Sequence, residues 1–137
     1  MIVALLVALG LLPPAPPPTH GAVMMIATSY DVPWLDRWNP RRANACGGEL
    51  DRVTPTIAHR TLPCGTLVLV YAPRTGLATV AEVRDRGPYG LNAAGMDAGP
   101  AVTRQLRLNG MEPVLVVVLK RGASRSEKRI ASMTRTK

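Results

Sequence analysis

A carboxylate follows directly on a strand-like segment in the second half of the chain. Residues 77–84 are predicted to form a strand, and the stretch Asp85–Arg86–Gly87–Pro88–Tyr89–Gly90 ends it abruptly. Strand alternation puts Val83 and Asp85 on one face, which predicts Asp85 at a rim where a core gives way to a groove. A carboxyl group held there can donate and accept a proton as a general acid and base. A structural Asp that caps a turn is the alternative interpretation.

The chain has two cysteines, Cys46 and Cys64, separated by 18 residues. In an oxidising compartment they can form one disulfide, worth roughly 3 kcal/mol on the loop-entropy model. Two buried thiols are the alternative. Two cysteines without a nearby pair of histidines do not supply four zinc ligands, so we expect neither a metal site nor another cofactor.

The elements that must position these residues are mostly strands. Apolar, β-branched runs predict strands over residues 23–28, 66–72, 77–84 and 114–119. The second and third form a hairpin across a Pro-Arg-Thr-Gly turn, and the last, continuously apolar, is expected to be buried on both sides. Residues 100–108 predict a short amphipathic helix, with Pro near its start and Asn-Gly past its end. Residues 31–48 read as a long loop. This order favours a compact closed barrel.

Composition sets the size of the domain and the location of the charge. The 137 residues contain no Phe, so a single core must be built from Val, Leu, Ile and Ala, which favours a β-rich fold. The net charge is +8, but residues 120–137 hold seven of the 17 basic residues and one of the nine acidic residues. Such a tail suits a polyanion or an anionic membrane surface, and a solubilising tail is the alternative. We expect no nucleic-acid binding, which would require basic residues organised on the fold.

The N-terminal segment resembles an export signal. Met1–Leu12 is an uncharged apolar run, too short to span a bilayer as a helix, and Pro-rich residues follow it. We therefore predict an export segment and linker over residues 1–22, a barrel domain over residues 23–121 and a basic tail over residues 122–137. The expected location is secreted or in the cell envelope, with no stable membrane span.

Three segments together resemble the RlpA-like (rare lipoprotein A-like) family, which is related to expansins. They are Ile57–Thr66 (IAHRTLPCGT), Val83–Tyr89 (VRDRGPY) and Met96–Val102 (MDAGPAV), and Ala45–Leu50 (ACGGEL) adds a fourth upstream. They occur in the family's order and spacing, over about two-thirds of the chain by this comparison. The resemblance implies a mainly β fold, a small six-stranded double-psi β-barrel with one or two short helices. It also implies that the two cysteines are bridged.

The resemblance implies action on the glycan strands of peptidoglycan. Some members of the family are lytic transglycosylases, in which the sugar's own 6-hydroxyl is the nucleophile, so one Asp can serve as acid and then as base. Others resemble expansins and bind or loosen wall polymer without cleaving it. A secreted inhibitor or signalling ligand on the same barrel is a third interpretation. We expect a monomer.

The resemblance also places further residues beside Asp85 in a groove. His59 is expected to orient Asp85 or to bind sugar, and Glu49 to hold His59 or share the proton transfer. The alternatives are a structural histidine that packs its own turn and a surface carboxylate. Asp97 is predicted to cap the helix N-terminus. The residues expected to contact substrate are Arg86, Gly87, Tyr89, Tyr30 and Trp34.

Overall fold

The structure is a computed structural model and describes residues 21–29, 43–50, 52–90, 95–123 and 126–129. Its elements, in chain order, are β1 (Ala22–Ser29), β2 (Thr56–Ala58), β3 (Leu67–Ala72), β4 (Leu77–Asp85), β5 (Met96–Ala98), α1 (Pro100–Leu106) and β6 (Glu112–Lys120). Residues 126–129 form a second, single-turn helical segment. The four strands and the helix predicted from the sequence are all present, whereas β2 and β5 were not predicted.

The six strands close into one barrel in the order β1-β5-β2-β4-β3-β6, with β6 pairing back onto β1. The pairs β1–β5 and β2–β4 are parallel, and the other four pairs are antiparallel. Sequence neighbours β3 and β4 form the predicted hairpin. The expectation of a six-stranded closed barrel with short helices is confirmed.

The barrel interior is filled by branched and small apolar side chains. Ile57, Val68, Val70, Val83 and Val114 are fully buried. Burying a side chain of this size contributes about 1.5–3 kcal/mol relative to leaving it exposed, so several together can stabilise a barrel that lacks any Phe.

Strand β6 departs from the prediction that both of its faces are buried. Val114 and Val116 are buried, while Leu115 and Val117 are only partly covered and Leu119 is exposed. The antiparallel pairing with β1 and β3 gives the strand one core face and one outer face. A continuous apolar run therefore did not mean two buried faces.

Helix α1 packs Val102 and Leu106 against the barrel, as the sequence pattern predicts. Pro100 lies in the first turn, where its missing N–H removes no helical hydrogen bond. The helix ends two residues before the predicted boundary because Arg107 adopts a left-handed conformation, with φ of 54°. Its backbone N–H donates to the carbonyl of Arg104.

Strand β4 contains an irregularity next to Asp85. Ile57 pairs with Val83, but the next residue, Ala58, pairs with Asp85, so Arg84 is an extra residue on β4. A bulge of this kind re-aims the side chains that follow it. The side chain of Asp85 is therefore not placed by simple alternation.

Candidate functional site

Four strands bring one row of residues side by side. On β1 and β5, Thr28 lies opposite Asp97. Asp97 in turn lies opposite Ala58 on β2, and Ala58 lies opposite Asp85 on β4. Neighbouring strands are about 4.8 Å apart, so two strand spacings, about 10 Å, separate the Cα atoms of the two aspartates. We call Thr28, Asp97, Ala58 and Asp85 the acidic row.

The acidic row lies on the outer face of the barrel. Ala27, Met96, Ile57 and Val83 belong to the core cluster, and Ile57 and Val83 are paired directly. Directly paired residues share a face, and their neighbours along the strand point the other way. The bulge then brings Asp85 to the outer face, which corrects the expectation that it shares a face with Val83.

The turn after Asp85 covers the middle of the acidic row. Gly87 and Pro88 are buried, and the peptide bond between them is cis. A Cβ added at Gly87 would lie 3.0 Å from Asp97 Oδ2 and 3.9 Å from the Cβ of Ala58. Gly87 also has φ of 136°, which L side chains rarely adopt. A glycine is therefore required for the turn to approach Asp97 this closely.

Asp97 is the carboxyl group of the row whose proton affinity is raised. Burial raises the pKa of Asp97 above its ordinary value of 3.8, and the negative charge of Asp85 raises it further, against the opposing effect of the Thr28 hydrogen bond. The hydroxyl of Thr28 donates to Asp97 Oδ1. A carboxylic acid with a raised pKa beside an ionised neighbour is the arrangement expected of a general acid.

The prediction that Asp97 caps helix α1 is wrong. The N-cap residue is Gly99, and no side chain caps the helix with a hydrogen bond. Asp97 lies within β5, and its carboxylate turns toward Thr28 on the neighbouring strand. Ala98 lies between Asp97 and the N-cap residue Gly99, so Asp97 belongs to the strand and not to the helix terminus.

Asp85 is held by two backbone N–H groups. Its Oδ1 accepts from the N–H of Arg86 at 2.8 Å and from the N–H of Ala45 at 2.9 Å. Ala45 belongs to the 43–50 loop, which is far from Asp85 in sequence. Because both donors reach the same oxygen, the orientation of the carboxylate depends on where this loop lies.

His59 is bound to its own turn. Its Nδ1 accepts from the backbone N–H groups of Leu62 at 3.0 Å and Thr61 at 3.2 Å. Burial, and then the nearby charge of Arg86, lower the pKa of His59 below 6.5. The ring is thus favoured in its neutral form with the proton on Nε2, since Nδ1 must accept. Among the described residues no hydrogen bond joins His59 to the Asp85 carboxylate, although the His59 N–H donates to the Asp85 carbonyl at 3.2 Å.

The guanidinium of Arg86 is used within the protein. It donates to the carbonyl oxygens of Leu62 at 2.7 Å and His59 at 2.8 Å, and its other terminal nitrogen lies 3.2 Å from Cys64 Sγ. The sequence predicted Arg86 as a substrate contact. These three contacts fix the 59–64 loop beside β4, and the role of Arg86 as a substrate contact stays a prediction.

The disulfide between Cys46 and Cys64 is present, with a Cα–Cα distance of 5.6 Å. It joins the 43–50 loop to the 59–64 loop. Glu49 lies in the first of these loops, where it is exposed and its backbone bridges to Ala43. Within the described chain no ion pair or hydrogen bond joins the Glu49 carboxylate to His59.

An exposed aromatic side chain borders the acidic row. Tyr89 is 70% exposed, and its ring edge lies 3.8 Å from the position of a Cβ at Gly87. The Arg60 guanidinium lies over the ring at 5.8 Å from its centroid, a cation–π contact. The predicted contacts Tyr30 and Trp34 lie outside the described residues.

Sequence reasoning missed Thr28 and the proton affinity of Asp97. The contact of Thr28 with Asp97 depends on the parallel pairing of β1 with β5, which joins residues about 70 positions apart along the chain. The raised pKa of Asp97 depends mainly on burial, to which the turn at Gly87 contributes. A Thr in a short apolar strand carries no local signal of this role.

Across the described ranges, no group of three His, Cys, Asp or Glu side chains is placed to hold a metal ion. Nor is any described helix long and apolar enough to cross a membrane.

Comparison with known proteins gives relatives by sequence. No family model matches the chain. Two curated proteins, each named "Probable endolytic peptidoglycan transglycosylase RlpA", are similar to it. The protein from Nostoc sp. is 35% identical over 82 residues, 58% of this chain and 22% of its own length. The protein from Synechocystis sp. is 34% identical over 79 residues, 57% of this chain and 25% of its own length. The match thus spans about a quarter of the curated relatives or less.

Solved structures give relatives by fold. The expansin of Clavibacter michiganensis superposes with a TM-score of 0.55 at 21% identity, covering 75% of this chain and 52% of its own. Cerato-platanin 3 of M. perniciosa superposes with a TM-score of 0.50 at 14% identity, covering 72% of this chain and 95% of its own. At these identities the likeness concerns the fold alone. The resemblance predicted from the sequence is confirmed by these relatives, and the chain forms a six-stranded double-psi β-barrel related in fold to expansins.

Proposed function

We propose that this protein cleaves the glycan strands of peptidoglycan as a lytic transglycosylase. The observation that carries the proposal is the acidic row, in which Asp97, with a raised pKa, and Asp85 flank Ala58 on an outer face of the barrel. The curated relatives named as transglycosylases support the substrate class. An outer face suits a long polymer, which cannot enter a closed pocket.

The reaction requires two proton transfers: one to the bridging oxygen when the bond breaks, and one from the 6-hydroxyl when the new ring forms. Protonation of the bridging oxygen by a carboxylic acid breaks the bond between that oxygen and the sugar C1. The 6-hydroxyl of the same sugar then attacks C1, forms a 1,6-anhydro ring and gives up its proton to a carboxylate. Because the nucleophile belongs to the substrate, no second carboxylate is needed to activate water.

Two assignments of the acid follow from the site. The sequence predicts a single Asp, Asp85, as acid and then base. The geometry favours Asp97 as the proton donor, because it is the half-buried carboxyl group whose pKa burial raises. Asp85 then supplies a neighbouring negative charge that adds to the effect of burial on the pKa of Asp97 and favours positive charge developing at C1.

The surroundings of the row supply the remaining roles. Tyr89 offers an exposed aromatic face for a sugar ring, with Arg60 beside it. Gly87 lets a sugar approach the backbone, and Tyr30 and Trp34 stay proposed contacts. We assign His59 and Arg86 to holding the 59–64 loop beside the acidic row. We place Glu49 at the exposed margin of the proposed site.

The proposed location is outside the cytoplasm. The Cys46–Cys64 disulfide fits an oxidising compartment, since cytosolic reductants keep most thiols free. Residues 1–22 serve as the proposed export segment and linker, and the polymer substrate lies in the same compartment. The basic residues 120–137 suit the anionic surfaces of the cell envelope.

A wall-binding protein without cleavage is the second candidate. The observation that favours it is the openness of the row: Tyr89 is exposed and Asp97 is only partly buried, so the site would hold polymer without enclosing the reacting bond. In that case the carboxyl groups would hydrogen-bond to sugar hydroxyls and transfer no proton.

The test uses wild type, Asp97→Asn and Asp85→Asn with peptidoglycan sacculi and with peptide-stripped glycan strands. Soluble anhydro-sugars are measured by mass spectrometry, and binding by sedimentation with the wall. Product from wild type that disappears in Asp97→Asn, with reduced release from Asp85→Asn, supports the proposal. If product is lost only in Asp85→Asn, Asp85 and not Asp97 is the general acid. If wild type releases nothing yet sediments with the wall, the enzyme proposal fails and the binding protein stands.

A further inference from the structure

The two loops beside Asp85 are joined to one another by a covalent bond. The 43–50 loop contributes the Ala45 N–H that binds Asp85 Oδ1 at 2.9 Å, and the next residue is Cys46. The N–H of Cys46 donates to the carbonyl of Arg84 at 3.0 Å. The disulfide-bonded Cys46 is thus the immediate neighbour of Ala45, whose N–H donates to the carboxylate of Asp85.

The other half of the disulfide is anchored independently. Cys64 lies on the 59–64 loop, whose carbonyls accept from Arg86, and the Arg86 guanidinium also reaches Cys64 Sγ. The backbone of Gly122 packs against this loop so closely that an added Cβ would lie 2.2 Å from the Cys64 carbonyl oxygen. Cys64 is therefore a fixed point to which the disulfide ties the 43–50 loop.

The 43–50 loop contacts the barrel through the Ala45 and Cys46 N–H groups, and its residues Asn44 and Leu50 are buried. It is tied to itself by the Asn44 N–H to Gly48 carbonyl bond of 2.9 Å and by a single bridge from Ala43 to Glu49. The strand ladders of the barrel close without it. Opening the disulfide should therefore release this loop while leaving the barrel closed.

We propose that the Cys46–Cys64 disulfide is a positioning element for Asp85, so that oxidation of the two thiols completes the site and a dithiol reductant disables it. The inference rests on the proposed function, because it concerns the same carboxylate. In the reductive step the S–S bond breaks, both sulfurs take up a proton, and the two electrons come from the dithiol, which closes to its own disulfide. In the cytoplasm the chain would therefore carry an unfinished site, completed after export.

The test compares oxidised protein, protein reduced with dithiothreitol, and the Cys46→Ser/Cys64→Ser variant. Amide hydrogen exchange is followed at Ala45 and Cys46 and, as a control for the fold, at Val70 and Val116 on β3 and β6. Release of anhydro-sugars and sedimentation with the wall are measured on the same samples. The serine variant distinguishes loss of the bond from any effect of the reductant.

We expect protection at Ala45 and Cys46 in both reduced and variant protein to fall further than protection at Val70 and Val116, where it falls only with the global stability. We expect product release to be lower by about 100-fold, the order expected for a misplaced catalytic group. Unchanged exchange at Ala45 overturns the inference, as does an equal fall in protection at Ala45, Val70 and Val116, which would make the disulfide a support of the whole fold. Fast exchange at Ala45 with full product release overturns the positioning role and leaves the proposed function standing. If even oxidised protein releases no product, the proposed function fails. The inference is then decided by whether opening the disulfide speeds exchange at Ala45 and weakens sedimentation with the wall.

Discussion

Replacing Asp97 by Asn should make the protein more stable at neutral pH and less active. The substitution keeps the shape of the side chain and an oxygen for the Thr28 hydroxyl, but it removes the charge and the transferable proton. Loss of a general acid lowers the rate by about 10²–10⁴-fold, so the release of anhydro-sugars should fall within that range.

The gain in stability has two sources: the loss of repulsion between Asp97 and Asp85, and the loss of the cost of partly burying a carboxylate. The strand pairing gives the distance from which the repulsion can be calculated. Asp97 and Asp85 lie two strand spacings apart, about 10 Å, so their mutual repulsion is about 0.4 kcal/mol in bulk water and about 1.7 kcal/mol at an effective dielectric of about 20. The half-exposed position of Asp97 favours the lower figure because solvent screens the charge. The cost of partly burying a carboxylate adds to it in the same direction.

The pH dependence of the gain follows from the sign of the shift. Folding raises the pKa of Asp97 above 3.8, mainly through burial, so the protonated carboxyl group favours the folded state. That contribution is fully present below pH 3.8 and is lost as the pH rises through the folded pKa. The Asn variant, which does not titrate, should match wild type near pH 3 and exceed it near pH 7.

Urea unfolding of both proteins near pH 3 and near pH 7 measures the difference. Asp85→Asn is the matched control: it removes the same repulsion but leaves Asp97 partly buried and charged, so its gain should be smaller. An Asp97→Asn protein that is less stable than wild type near pH 7, or equally stabilised at both pH values, would refute the account of this site.

Three further predictions concern the elements around the row. Removing the disulfide with Cys46→Ser/Cys64→Ser should lower the free energy of unfolding by about 3 kcal/mol, from the 18-residue separation, as measured by urea unfolding; a change near zero would contradict the loop-entropy estimate. The stability contributed by His59 should fall with acidification below pH 6.5, because burial and Arg86 lower the pKa of His59 and protonated Nδ1 cannot accept; in thermal unfolding, His59→Asn, which keeps an acceptor, should therefore gain stability relative to wild type as the pH falls through this range. Gly122→Ala should cost about 1–3 kcal/mol or more in urea unfolding, because its Cβ would meet the Cys64 carbonyl; an unchanged free energy of unfolding would contradict this close approach.

The sequence predicted those elements whose signals are local. The β3–β4 hairpin has two β-branched runs around a turn, and α1 has Pro100 at its start and Val102 and Leu106 on one face. Strands β2 and β5 have three residues each, too few for a periodicity to appear. They exist because longer strands from elsewhere in the chain pair with them, so single-sequence patterns could not identify them.

Within the candidate site, the pairing of Cys46 with Cys64 was predicted correctly. The role of Arg86 stays a prediction, because the sequence of the motif is the same whether its guanidinium binds sugar or only the carbonyls of His59 and Leu62. Only the positions of those carbonyls distinguish the two roles, and they depend on how the 59–64 loop folds.

The acidic row also explains how a small barrel can raise the pKa of a carboxyl group without a deep pocket. The interior beside the row is filled by apolar side chains such as Val83 and Ile57, and burying an unpaired carboxylate among them would be costly. The bulge at Arg84 puts Asp85 on the outside with Asp97, and the turn at Gly87 covers Asp97 from the solvent side. Partial burial is thus achieved by a backbone turn laid over the sheet, which works only while position 87 lacks a Cβ. A site of this kind shields one proton and still leaves the barrel surface open to a polymer.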